Sequence, residues 1–194
     1  ICHEHIEYYG LKQIKWILDK SNLKIIDIKF NKVNGGSFSI VAAKQSSNFQ
    51  QFNKLNYLLK KEIERGLSSL TYYKKFSSRV LGHKRKLTSF LKKIKKNKQN
   101  ICALGASTKG NIILNYCNLN SKIIDFVGEI NNEKLDLVTP GAKIKIISEK
   151  VSLQRNYDFY FILPWHFKKF FLKNEKYKNK KLIFPLPKIS VIKV

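Results

Sequence analysis

The chain has 194 residues, of which 43% are hydrophobic, so it can bury a core and is not wholly disordered. It carries 38 Lys and Arg residues against 13 Asp and Glu residues, a formal net charge of +25. Its longest uncharged apolar runs are much shorter than the roughly 20 residues that a membrane-spanning helix needs, which excludes a transmembrane protein.

The positive charge comes mostly from lysine, because 34 of the 38 basic residues are Lys and four are Arg. Arg provides the bidentate fork that binds phosphate and guanine, whereas Lys is common on any solvated surface. Lys-rich solvated faces are therefore favoured over a nucleic-acid partner. A basic polyanion-binding protein stays as a third hypothesis, and steep loss of binding with salt would identify it.

The cysteines indicate reduced thiols. Cys2, Cys102 and Cys117 form no C-x-x-C pair, so neither a zinc knuckle nor a disulfide framework is supported. A cytoplasmic location is the corresponding expectation. The chain has no Met and thus no initiator, so it is expected to be processed or a piece of something longer.

Residues 1–46 predict one helix and two strands. Apolar residues at helical spacing indicate a helix at 11–21, and runs at 23–30 and 37–42 indicate strands joined by a turn at Asn34-Gly35-Gly36. Three such elements cannot bury an independent core. The segment is therefore interpreted as the end of a domain whose remaining strands lie elsewhere.

Residues 47–98 predict a helical linker. Apolar residues recur at mostly three- and four-residue steps from 52 to 94, and Gly66 and Gly82 are expected to break or bend the helix. The run of lysines near residue 96 suits the negative end of a helix dipole.

Residues 99–194 predict a parallel α/β sheet. Apolar strands at 100–104, 123–127, 144–147, 157–163 and 182–184 alternate with helices that begin at residue 111 and span residues 167–177.

A glycine loop, Gly105 to Asn111, joins the first of these strands to its helix. Such a loop can direct backbone N–H groups and a helix N-terminus at a phosphate. It matches neither G-x-G-x-x-G nor the P-loop, because Asn111 and Ile112 follow the second glycine. A phosphate site and a tight turn with an incidental lysine are both open interpretations.

The segment Cys2-His3-Glu4-His5 suggests acid–base chemistry more than metal binding. It has no third ligand at a known spacing, and the H-E-x-x-H pattern fails because position 7 is Glu, so no metal site is predicted. Imidazole titrates near neutrality, and a carboxylate can orient it. Two further histidines, His83 and His166, are interpreted as structural.

Six motifs in order resemble one family, the SAM-dependent C-methyltransferases that act on nucleotide-linked keto-deoxysugars. They are Cys2 to Tyr9, Asn34 to Ser37, Gly105 to Asn111 with Asn115 to Cys117, Thr139 to Gly141, Leu163 to Trp165, and Phe184 to Pro187. The resemblance implies a zinc-binding N-terminal domain, a class I methyltransferase domain and a Rossmann-like C-terminal domain. This chain resembles only the end of the second and the whole of the third.

The implied domains are the incomplete methyltransferase domain at 1–46, the helical linker at 47–98 and a Rossmann-like substrate-binding domain at 99–194. The implied cofactor of the complete enzyme is S-adenosylmethionine (SAM), whose acidic-Gly-x-Gly-x-Gly loop does not occur in this chain. Zinc would belong only to the N-terminal domain. This chain is expected to be inactive alone.

The resemblance also implies site residues. His5 would take the proton beside a ketone, with Glu4 holding the substrate or the ring, although Cys2 stands where sugar-acting members have a catalytic Tyr. The nucleotide-linked substrate would bind at Gly105, Lys109, Gly110, Asn111 and Glu129. The alternative function is a stand-alone nucleotide-ligand binding module, or a non-catalytic subunit that assists a separate SAM-binding chain.

Overall fold

A computed structural model describes residues 7–33 and 36–194. The chain divides into two compact units, residues 1–79 and 80–194. The helices are α1 (Leu11–Lys20), α2 (Leu55–Glu64), α3 (Leu70–Lys96), α4 (Thr108–Tyr116), α5 (Glu149–Gln154) and α6 (Lys168–Lys173). The strands are β1 (Leu23–Asn31), β2 (Ser37–Lys44), β3 (Ile101–Leu104), β4 (Phe126–Glu129), β5 (Ile146–Ser148), β6 (Phe159–Ile162), β7 (Lys181–Phe184) and β8 (Ser190–Lys193).

The first unit contains an antiparallel hairpin of β1 and β2, and its core includes α1 and α2 residues. The register shifts between Ile25 and Asp27, which is a β-bulge. The bulge interrupts the two-residue alternation of the strand, so Ile25 and Ile28 are both buried with Leu11 and Leu55. The predicted helix and two strands are confirmed here, whereas Asn34 and Gly35 of the predicted turn lie outside the described residues.

Glu62 of α2 supports the beginning of α1. Its carboxylate accepts hydrogen bonds from the backbone N–H groups of Leu11 at 2.6 Å and Lys12 at 3.0 Å. The first N–H groups of a helix have no partner within the helix, and a carboxylate also suits the positive end of its dipole. A residue 50 positions away in the chain therefore caps this helix.

The predicted helical segment consists of α2 and α3, and its two glycines differ. Gly66 has a positive φ of 79° just after α2, a conformation that glycine adopts without strain. Gly82 was expected to break or bend the helix. It does not break it, because α3 continues through this residue. One glycine costs a helix only about 1 kcal/mol, which the packing of Leu87, Leu91 and Ile94 can offset.

The second unit is built on a six-stranded sheet in the order β5-β4-β3-β6-β7-β8. The first five strands are parallel, and β8 is antiparallel to β7. The chain runs outward from β3 through β4 to β5 on one side and then returns to place β6 on the other side of β3. This order creates a topological switch point between β3 and β6.

Both faces of this sheet are covered. Ile101 and Ala103 of β3 belong to a core with residues of α3 and α4, while Cys102 and Leu104 pack with a second core that includes Phe171 of α6. A strand that is buried on both faces is a continuous apolar run in the sequence. Such runs therefore predicted the buried strands of this sheet. The predicted Rossmann-like α/β fold is confirmed.

Several details of the second unit differ from the prediction. Helix α4 begins at Thr108, three residues before the predicted start at residue 111, because Ser107 caps it. Ile123 and Ile124 precede β4 and form a turn, because both backbone N–H groups bond to the carbonyl of Asn120; they are buried all the same. The predicted helix at 167–177 is interrupted at Asn174, whose side chain accepts from the N–H of Lys176. Helix α5 and strand β8 were not predicted.

In residues 7–33 and 36–194, no helix combines the length and the apolar character that crossing a membrane requires.

Candidate functional site

The glycine loop lies at the switch point, where open α/β sheets bind ligands. Gly105 follows the carboxyl end of β3, and Pro164 follows that of β6, its neighbour in the sheet. A Cβ built on Gly105 would lie 2.8 Å from the Pro164 ring, and one on Gly110 would lie 2.5 Å from the Cβ of Leu163. Gly105 in the loop and Gly110 in the first turn of α4 therefore let this segment pack closely against the residues that follow β6.

Ser107 forms the N-cap of α4. Its hydroxyl accepts from the backbone N–H of Gly110 at 3.1 Å, which satisfies one of the unpaired donors at the helix start. The positive end of the α4 dipole thus lies at the switch point. The loop is therefore a tight turn that also carries a helix N-terminus, and the phosphate site stays a prediction.

His166, which follows β6, is within electrostatic reach of Lys109 in the first turn of α4. Burial lowers the pKa of His166, and the positive charge of Lys109 lowers that pKa further. His166, interpreted from the sequence as structural, is therefore sensitive to the charge of a predicted substrate-binding residue.

Glu129 ends β4 and holds the glycine loop. One carboxylate oxygen accepts from the N–H of Ala106 at 2.6 Å, and the other accepts from Ile130 at 2.8 Å and Asn131 at 3.0 Å. These bonds use three of the roughly four acceptor positions of a carboxylate. Glu129 therefore positions the loop, and its contact with a sugar hydroxyl stays a prediction.

Asn111 has a buried side-chain oxygen for which the described residues provide no hydrogen-bond donor. Such an atom is rare in folded proteins and marks a place where a donor from a ligand or from water would be stabilising. Its predicted role in substrate binding is not tested. The acid–base residues Glu4 and His5, and Cys2 beside them, lie outside the described residues.

A cavity of about 250 Å³ opens at the same edge of the sheet. Lys134 donates from Nζ to the carbonyl of Ala106 at 3.0 Å. Glu149 accepts from Lys176 Nζ at 2.5 Å and from the Tyr177 hydroxyl at 3.1 Å. The cavity is lined by Gly105, Ala106, Ser107, Glu129, Ile130, Lys134, Glu149, Pro164, Phe167, Phe170, Phe171, Lys176 and Tyr177.

The pKa of Tyr177 is raised, first by burial and then by the neighbouring charge of Glu149, so its hydroxyl stays protonated and donates to that carboxylate. Sequence reasoning missed this polar group and the aromatic residues around it. No local motif marks them, since the cavity is assembled from segments that lie far apart in the chain. In the same described ranges, no three His, Cys, Asp or Glu side chains come together as a metal site would require.

The fold and this edge define a Rossmann-like α/β domain with a ligand-sized crevice at its switch point. The sequence model of the C-methyltransferase C-terminal domain matches residues 32–187, so the chain belongs to this family. The resemblance of the ordered motifs to the C-terminal domain of C-methyltransferases is confirmed.

A curated relative is C-methyltransferase NovU of Streptomyces niveus, which is 25% identical over 195 residues. The alignment covers 99% of this chain and 46% of NovU, so the chain spans about half the length of the relative.

Proposed function

We propose that this chain is the substrate-binding, C-terminal part of a SAM-dependent C-methyltransferase that acts on a carbon next to a ketone of a nucleotide-linked sugar. The observation that carries the proposal is the switch-point loop, where Lys109 and the N-terminus of α4 lie together in a chain of this family. An ammonium group and a helix N-terminus both favour a diphosphate. The nucleotide-linked substrate would thus bind at Gly105, Lys109, Gly110 and Asn111.

The SAM site of the complete enzyme would lie outside this domain. A Rossmann cofactor site needs an acidic residue after the second strand for the ribose. Here the residue at that position, Glu129, is already bound by three backbone N–H groups. We therefore assign SAM binding to another part of the complete enzyme or to a separate chain, and zinc to the N-terminal domain of the complete enzyme.

The chemistry assigned to the N-terminal residues of this chain is proton removal. His5 would act as the base on the carbon beside the ketone, and Glu4 would orient the imidazole or the substrate. The product is an enolate whose carbon is the nucleophile, and hydrogen-bond donors near its oxygen would stabilise it. Because Cys2 is a weak donor compared with a phenol, another group would have to provide that donation.

Calorimetry on the 194-residue chain tests the proposal. We expect uridine diphosphate to bind and SAM not to bind. Lys109→Ala should weaken the nucleotide about tenfold, whereas Lys122→Ala, at an exposed lysine outside the loop, should leave affinity unchanged. Tight SAM binding would contradict the assignment of the SAM site to another part of the enzyme or to a separate chain. Binding of any polyanion with equal affinity at low salt would support the basic-protein alternative instead.

A further inference from the structure

The cavity at the carboxyl edge of the sheet has an apolar rim. Phe167, Phe170 and Ile130 line it, and they are 57%, 53% and 74% exposed. Scattered exposed apolar residues need no explanation, but three around one cavity indicate a surface that a ligand covers. Two of the three are aromatic and can stack on a planar ring.

The cavity also has a polar wall with unused hydrogen-bonding capacity. Glu149 is only 9% exposed, and its hydrogen bonds from Lys176 and Tyr177 leave about half of the acceptor positions of a carboxylate. Lys134 bonds to the Ala106 carbonyl, and an ammonium group has three N–H donors. The wall can therefore accept from an N–H group and donate to a carbonyl oxygen.

The size of the cavity limits its occupant. At about 250 Å³ it is smaller than the roughly 300–1,000 Å³ of pockets that enclose a whole drug-sized ligand. It is continuous with the switch-point loop, because Gly105, Ala106 and Ser107 form part of its lining. A ligand whose charged part lies at Lys109 could thus place one planar ring in the cavity.

We propose that this cavity binds the heteroaromatic base of the nucleotide, with Phe167 and Phe170 stacking on the ring and Glu149 accepting a hydrogen bond from an N–H on its edge. The inference rests on the proposed function and deepens it, since it assigns the base to residues separate from the phosphate site. Uracil is a suitable probe, because its ring N–H lies between two carbonyl groups.

Calorimetry on the full chain with three probes tests the assignment. Uridine diphosphate should bind at least tenfold more tightly than inorganic pyrophosphate, and 3-methyluridine diphosphate, which lacks the ring N–H, should bind more weakly than uridine diphosphate. Phe170→Ala should weaken uridine diphosphate about 5- to 150-fold, the range for loss of base–aromatic stacking, and leave pyrophosphate unchanged. Phe49→Ala removes an exposed Phe of the other unit and should change neither affinity.

The outcomes separate this inference from the proposed function. If Lys109→Ala weakens uridine diphosphate but neither Phe167→Ala nor Phe170→Ala does, the base site is wrong and the phosphate site stands. Equal affinity for pyrophosphate and uridine diphosphate would likewise overturn the base site alone. Binding of neither probe overturns both. Phe167 and Phe170 are half exposed, so both variants should fold, and circular dichroism checks this.

Discussion

The carboxylate of Glu129 and the backbone N–H of Ala106 form a buried hydrogen bond of 2.6 Å, which joins the end of β4 to the loop after β3. The same carboxylate binds the N–H groups of Ile130 and Asn131. One acidic side chain therefore holds two loops of the ligand-binding edge in place, although it is one of the residues that the sequence assigns to the ligand.

Replacing Glu129 should thus damage stability first. Glu129→Ala leaves the buried N–H of Ala106 without a partner, and such a group costs about 1–3 kcal/mol, so we expect the free energy of unfolding to fall by about that amount. Urea unfolding measures it. Glu133→Ala, at an exposed carboxylate in the next turn, should change stability by less than about 0.5 kcal/mol. Equal effects of the two substitutions would show that the hydrogen bonds of Glu129 contribute nothing to the free energy of unfolding.

Two glycines should respond to alanine with opposite signs. Gly105 has a φ of 80°, and an added Cβ would lie 2.8 Å from the Pro164 ring, so Gly105→Ala should destabilise the protein by more than about 1 kcal/mol. Gly82 lies within α3 with nothing within 4 Å of an added Cβ. Gly82→Ala should therefore stabilise it by about 0.5–1 kcal/mol. Thermal unfolding of both variants provides the comparison, and a stabilised Gly105→Ala would refute the close packing of the loops.

The cap between Glu62 and α1 should contribute measurably to stability. Glu62→Ala removes the acceptor for the N–H groups of Leu11 and Lys12, and we expect a loss of about 1 kcal/mol in the free energy of unfolding. The control is Glu64→Ala, which breaks an exposed ion pair with Lys61 and should cost almost nothing. A larger effect at Glu64 than at Glu62 would reverse this interpretation.

Two buried thiols should be unreactive in the folded protein. Cys102 and Cys117 are buried, and burial raises the pKa of Cys102 to about 12 and also raises the pKa of Cys117. Because the thiolate is the reactive form, neither should react with a disulfide reagent at pH 8. In a Cys2→Ser variant we expect no reaction in buffer and reaction of both thiols in denaturant. Rapid labelling of the native variant would contradict the packing of β3.

The raised pKa of Cys102 also has a consequence for stability against pH. The unfolded chain ionises this thiol near pH 9, whereas the folded protein keeps it neutral until about pH 12. The unfolded state therefore releases its proton first, and the stability present below pH 9 is lost as the pH rises towards 12. Urea unfolding of the Cys2→Ser variant at pH 8 and pH 10.5 should show this decline. Replacing Cys102 with Ala should make the decline smaller.

The charge of Lys109 should be visible in the titration of His166. Because Lys109 disfavours the protonated imidazole, Lys109→Ala should raise the pKa of His166, although burial still keeps that pKa low. Nuclear magnetic resonance of the imidazole protons measures the titration, and Lys122→Ala serves as the control. An unchanged pKa in Lys109→Ala would show that the charge of Lys109 does not reach His166.

Much of the fold follows from local pattern. The short apolar runs at β3, β6 and β7 indicate buried parallel strands because a strand covered on both faces has no polar alternation. The same logic misplaces the start of β4, since Ile123 and Ile124 are equally apolar but lie in a turn. Apolar character reports burial more directly than it reports backbone conformation.

By itself the sequence determined the α/β class, the glycine loop and, through its ordered motifs, the C-methyltransferase family. Only the tertiary structure decided which of these side chains lie close together and which groups they contact. It turned Glu129 inward onto the loop and placed His166 within reach of the charge of Lys109. It also joined Glu149 to Tyr177 beside a cavity. The physical reason is sheet order: neighbouring strands bring together loops that are far apart in the chain, and no local pattern encodes that proximity.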